Sequence, residues 1–150
     1  MSAEQNEALV RRYFQQPGAD FFSETAEFQD MSQPRPLQGR EEIGAFLRLF
    51  LHDAFPGGAY ELQSVFADDT GAAAEWAFRG VNTGSAMGET ATQREVSFSG
   101  VSIYEIEDGL IVRARVYYDT GLLAEQLGLT GPRVPPSERE RWYEWWKRTR

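Results

Sequence analysis

Asp30 and Glu75 are carboxylates set in otherwise apolar stretches. Asp30 follows Ala26 and Phe28 at strand spacing, and Glu75 interrupts the run Ala72-Ala73-Ala74-Glu75-Trp76-Ala77-Phe78. A charge buried without a partner is costly, so each of these carboxylates needs a partner or a proton. Arg79, Arg94 and Arg115 are available as partners. The segment Leu110 to Asp119, read as a strand, puts Arg113, Arg115, Tyr117 and Asp119 on one face and Val112, Ala114, Val116 and Tyr118 on the other. On the polar face Arg115 suits an oxyanion or an ion pair with an acid, and Tyr117 can donate a hydrogen bond to a carbonyl. The same face could instead meet solvent, which is the expectation for Arg113 beside a hairpin. Asp119 at the strand's end could cap the helix that follows. His52, the only histidine, sits late in a helix, where it either lines a cavity or interacts with the helix C-terminus. Trp76, Phe78, Phe98 and Tyr104 are aromatics for a pocket wall or a core.

The elements that must position these groups follow from periodicity. Leu9, Val10, Tyr13 and Phe14 recur at helical spacing between Glu4 and Gln16, and Pro17-Gly18 ends the pattern. A turn over Ala19 to Glu24 and a short strand over Ala26 to Asp30 come next. The two prolines and the glycine between Met31 and Gly39 mark a loop, and Gly39-Arg40-Glu41-Glu42 opens a helix to about Ala54 with acids in its first turn. Extended segments are expected over Ala59 to Ala67, Ala72 to Asn82, Arg94 to Ile106 and Leu110 to Asp119. The last two are joined by Asp108-Gly109, a strong hairpin signal. Leu122, Leu123, Gln126 and Leu127 then form a helical turn that Gly128 can cap. Helices first and a strand meander second predict an α+β fold with a largely antiparallel sheet.

Length and composition bound the function. A chain of 150 residues, 41% apolar and 25% charged, suits one core. The expected division is a main domain over 1–131 and, over 132–150, a Pro-rich linker with an aromatic helix. That helix carries Trp142, Tyr143, Trp145 and Trp146 behind the capping-box spacing of Ser137 and Glu140, and it could pack on the domain or on a dimer partner. The net charge of −8 argues against nucleic acid and anionic membranes as partners. With no cysteine and one histidine, thiolate chemistry is excluded and no metal site is expected. No glycine-rich phosphate loop or other cofactor motif is visible. The opening residues lack the regions of a secretory signal, and no run nears the ~20 apolar residues of a membrane span, so a cytoplasmic location is expected.

Three segments carry a family likeness: Leu37-Gln38-Gly39-Arg40-Glu41-Glu42-Ile43, Phe98-Ser99-Gly100-Val101-Ser102-Ile103-Tyr104-Glu105-Ile106-Glu107-Asp108-Gly109, and Tyr117-Tyr118-Asp119-Thr120-Gly121-Leu122-Leu123-Ala124-Glu125-Gln126-Leu127-Gly128. Together they resemble the SnoaL-like polyketide cyclases of the nuclear transport factor 2-like superfamily, which also holds limonene epoxide hydrolase and ketosteroid isomerase. The resemblance implies a cone, in which a curved, mostly antiparallel sheet wraps the N-terminal helices around an internal pocket. It further implies a homodimer and a small hydrophobic substrate. It matches Asp119 to the cyclases' general acid or base. On that basis the chain is a cofactor-independent cyclase or isomerase of bacterial secondary metabolism: Asp119 takes a proton beside a carbonyl, Tyr117 or Arg115 stabilises the enolate, and Glu75, Trp76, His52, Phe98 and Tyr104 contact substrate. Epoxide opening by paired acids, Asp30 with Asp119 or Glu75, is an alternative, although the acid-arginine-acid pattern of limonene epoxide hydrolase is not reproduced at Glu75-Trp76-Ala77. Non-catalytic binding of a hydrophobic metabolite is another.

Overall fold

The computed structural model of the chain describes residues 2–85 and 90–129. The aromatic helix expected within 132–150, and the domain boundary before it, lie outside these residues.

Helix α1 (Ala3–Gln15) opens on a reciprocal cap in which Ser2 Oγ accepts from the Gln5 amide at 3.1 Å and Gln5 Oε1 accepts from the Ser2 amide at 2.9 Å. Its buried face is Asn6, Leu9, Val10, Tyr13 and Phe14, the helical spacing visible in sequence. Asn6 Nδ2 donates to the carbonyl of Asp68 at 2.8 Å and so ties the helix to the sheet. After a tight turn over Ala19–Phe21, strand β1 (Phe22–Asp30) runs through to the carboxylate at its end. It begins at Phe22, earlier than expected, because Phe22 and Ala26 are both wholly buried and extend the inward-facing set. A two-residue strand β2 (Leu37–Gln38) leads into α2 (Gly39–Arg48). The helical rod continues to Ala54, but Leu49–Ala54 widens into a π-type turn, a local unwinding that often accompanies functional sites.

Strands β3 (Ala59–Ala67), β4 (Gly71–Val81), β5 (Glu95–Glu107) and β6 (Leu110–Tyr118) follow, then α3 (Thr120–Leu127). The sheet order is β2-β1-β6-β5-β4-β3. All neighbours are antiparallel except β1 and β6, which run parallel with Phe28 beside Ala114 and Asp30 beside Val116. This α+β architecture, a curled and unclosed sheet holding helices in its hollow, is the one expected. The core fills that hollow. Val10, Phe22, Ile43, Phe78, Val96 and Ile111 are wholly buried there, and ring contacts link Phe46 through Phe50 to Phe78 and Phe98. Among the described residues, no helix is long and apolar enough to cross a membrane.

Candidate functional site

The hollow is not completely filled. A cavity of about 230 Å³ remains between α1, α2, the sheet and α3. Its walls are mainly aromatic, and its polar groups are few: Asp30, Gln33, Ser102, Trp76 Nε1 and the hydroxyls of Tyr13, Tyr60, Tyr104 and Tyr118. Partly exposed Asp30, Tyr118 and Leu123 and exposed Gln33 form its outer end, while buried Tyr13, Trp76, Ser102 and Tyr104 form its inner end.

Asp30 is the only acid on the wall among the described residues, and its carboxylate is held on both oxygens. Oδ1 accepts from the Ser32 amide at 2.9 Å and from Ser32 Oγ at 2.6 Å, a local Asx-type turn that the Met31 to Gly39 loop permits. Oδ2 accepts from the Tyr118 hydroxyl at 2.8 Å. The parallel pairing of β1 with β6 makes this contact possible, since it sets Asp30 beside Val116 and within reach of Tyr118. Three of the roughly four acceptor positions of a carboxylate are then occupied, and the remaining capacity is on Oδ2. Burial, reinforced by the Asp30 hydrogen bond, pushes the Tyr118 phenol up to about 12, so it stays a neutral donor at physiological pH.

The sheet's outer surface holds other residues singled out in the sequence. Alternation along β6 turns Val116 and Tyr118 to the cavity and leaves Arg115 and Tyr117 on the opposite surface. Arg115 Nη1 meets Glu105 Oε2 at 2.9 Å, Arg113 adds contacts at 3.6 Å to Glu105 and 3.9 Å to Glu27, and Tyr117 is 43% exposed. The polar face of the last strand is therefore its solvent face. Asp119 is exposed, and its Oδ1 accepts from the Leu122 amide at 2.9 Å as the N-cap of α3. Glu75 is also exposed, with Ser64 Oγ at 3.5 Å from its Oε1. His52 is exposed on the widened turn, whereas Phe50 of the same turn lines the cavity. Of the expected site residues, the fold brings Asp30, Trp76, Phe98 and Tyr104 to one cavity and leaves Asp119, Tyr117, Arg115, Glu75 and His52 off its wall.

Tyr118, Ser102, Tyr13 and Tyr60 were not singled out as site residues, though each lines the cavity. A signal existed for Tyr118, because it shares parity with Ala114 and Val116, the apolar set that a one-sided sheet buries. Ser102 likewise shares parity with Tyr104. One further device seats the wall: Gly100 lies opposite Trp76, and a Cβ there would sit 2.5 Å from the indole. The absent side chain lets the ring lie across β5, where Nε1 donates to Ser102 Oγ at 2.9 Å. Among the described residues, no group of three or more acids or histidines could hold a metal ion.

A family model described as SnoaL-like polyketide cyclase matches residues 5–127. Among solved structures, a protein provisionally named a SnoaL-like polyketide cyclase from Jannaschia sp. CCS1 superposes with a TM-score of 0.76 at 18% identity, covering 87% of this chain and 95% of that one. AclR from Streptomyces galilaeus, provisionally named a hydroxylase, gives 0.72 at 18% identity over 99% of this chain and 96% of its own. An epoxide hydrolase of the LEH-like type from M. tuberculosis gives 0.64 at 13% identity, over 83% and 90%. Likeness at these identities establishes the fold alone. No curated protein matches the sequence.

Proposed function

The chain belongs to the SnoaL-like polyketide cyclase family, and from that premise we propose that it is a cofactor-independent cyclase or isomerase in which Asp30, held by Tyr118 and Ser32, is the acid/base group. The observation that carries this reading is the Asp30–Tyr118 hydrogen bond of 2.8 Å on the wall of an otherwise neutral, aromatic cavity. The substrate it suits is a flat, oxygenated molecule of polyketide type. Asp30 takes a proton from the carbon beside a carbonyl, and the electron pair moves to the carbonyl oxygen as an enolate. The enolate carbon attacks a second carbonyl of the same molecule, and the proton on Asp30 returns to the alkoxide formed. Tyr118 lends Asp30 a hydrogen bond while it is charged. Once Asp30 is protonated, the phenol can turn its own proton to substrate oxygen.

Asp119 is the rival base that the family likeness suggests, and its present partner is the α3 backbone. The two readings separate when the protein is incubated with a panel of polyketide precursors and products are followed by mass spectrometry. Asp30→Asn is expected to bind ligand yet lose about 10²- to 10⁴-fold in turnover, the range typical of a positioned general base. Asp119→Asn, which preserves the cap, is expected to keep most activity. The reverse pattern would move the chemistry to Asp119. Binding without turnover by the wild-type protein would favour the metabolite-binding role. Epoxide opening needs a second acid beside the first, and the described residues bring only Asp30 to the cavity wall.

A further inference from the structure

The inner end of the cavity carries polar groups that this acid/base reading leaves unused. Tyr13 from α1, Tyr60 from β3 and Tyr104 from β5 all line the cavity, with the rings of Tyr13 and Tyr104 5.8 Å apart and that of Tyr60 5.5 Å from Phe14, the ring that packs against both. The hydroxyls of Tyr13 and Tyr60 have no hydrogen-bond partner among the described residues. Yet the one fully enclosed side-chain polar atom without a partner there is Oδ1 of Asn6. The two free hydroxyls are therefore not sealed against apolar neighbours, and both rings stand on the cavity wall.

A further hydroxyl lies beside Tyr104. Trp76 Nε1 donates to Ser102 Oγ. An indole N–H can only donate, so Ser102 accepts there and its own proton is free to pass onward. Burial pushes the Tyr104 phenol up, so it stays a neutral donor at physiological pH.

The geometry points to a donor pole: Tyr13, Tyr60 and Tyr104, with the Ser102 hydroxyl beside them, together receive a carbonyl oxygen of a neutral, flat ligand at the inner end of the cavity. Tyr104 lies opposite Ala114 and Gly100 opposite Tyr118, so the two ends are four residues apart on β6, roughly 13 Å by strand rise. A ligand whose carbonyl sits on the phenols can extend towards Asp30. No Arg, Lys or His lines the cavity among the described residues, and its one acid is Asp30. Neutral donors satisfy a lone pair without neutralising a full charge, so carboxylate and phosphate ligands are disfavoured. The assignment rests on the acid/base reading only for the direction in which the substrate lies.

The test compares 1-tetralone with tetralin, the same skeleton without the carbonyl, by titration calorimetry. Wild type is expected to prefer the tetralone. Tyr104→Phe should weaken tetralone about three- to tenfold, the equivalent of one net hydrogen bond, and leave tetralin unchanged. Ser102→Ala should produce a smaller loss in the same direction, and Tyr13→Phe and Tyr60→Phe losses of similar kind. Melting curves confirm that each variant folds. The proposal fails if tetralone does not bind, if both ligands bind wild type alike, if the phenol variants weaken both equally, or if 2-naphthoate binds as well as tetralone. Asp30→Asn is expected to retain tetralone affinity, so loss of turnover there and loss of carbonyl preference here fail independently.

Discussion

The two surfaces of strand β6 are built from alternate residues and have opposite characters. On the outer surface Arg113 and Arg115 meet Glu27 and Glu105, each partner a quarter or more exposed or close to it, so each pair contributes little to stability. On the inner surface Val116 and Tyr118 join aromatic rings and a single carboxylate. Charge density and cavity therefore lie on opposite sides of this strand. Asp30 is partly buried and hydrogen-bonded on both carboxylate oxygens, whereas the charges of the outer face pair with one another in solvent.

Substitutions that act on one surface and not the other test this contrast. The largest effect on stability is expected at Phe78, which is wholly buried and packed edge-on or tilted against Phe50, Phe55, Tyr60 and Phe98. Phe78→Ala should cost about 3–5 kcal/mol in chemical denaturation. Phe66→Ala, at a site 74% exposed on the outer surface, should stay within about 0.5 kcal/mol. Comparable losses would mean that the outer surface is itself covered in solution.

A smaller effect is expected where strand passes into helix. Asp119→Ala removes the N-cap of α3 and should cost about 1 kcal/mol, whereas Asp119→Asn should cost little because Asn caps equally well. Equal losses from both would assign Asp119 a role that needs its charge.

The last contrast is in pH. Tyr118 is raised from 10.0 to about 12, first by burial and then by Asp30. A raised phenol pKa means that the folded state favours the protonated form. Its contribution is full below pH 10 and is lost as pH rises through about 12. Melting temperature measured across that window should fall less steeply in Tyr118→Phe than in wild type, and unchanged slopes would show that the phenol is as well solvated folded as unfolded.

Much of this could be read along the chain. The order of elements and most of their boundaries follow from helical spacing in α1, the loop prolines before α2 and Asp108-Gly109 between β5 and β6, all of which are local signals. The cavity aromatics Trp76, Phe98 and Tyr104 were recognisable because they stand at inward parity in apolar strands. Five expected site residues lie off the cavity wall: Glu75, His52, Arg115, Tyr117 and Asp119. For the three on or beside β6, chemistry-bearing types cluster in sequence, but alternation states only that they share a side, and the side is chosen by what the other parity buries.

The sequence by itself determined the α+β class, the strand meander and the absence of thiol chemistry, because these depend on composition, local spacing and the order of elements, and three separate segments carried the likeness to the family. Tertiary structure alone decided that β1 lies parallel beside β6 and brings Asp30 to Tyr118, 88 residues away, and that Gly100 admits the indole that reaches Ser102. Those pairings depend on how separate strands are ordered and registered in the sheet, which no local pattern encodes.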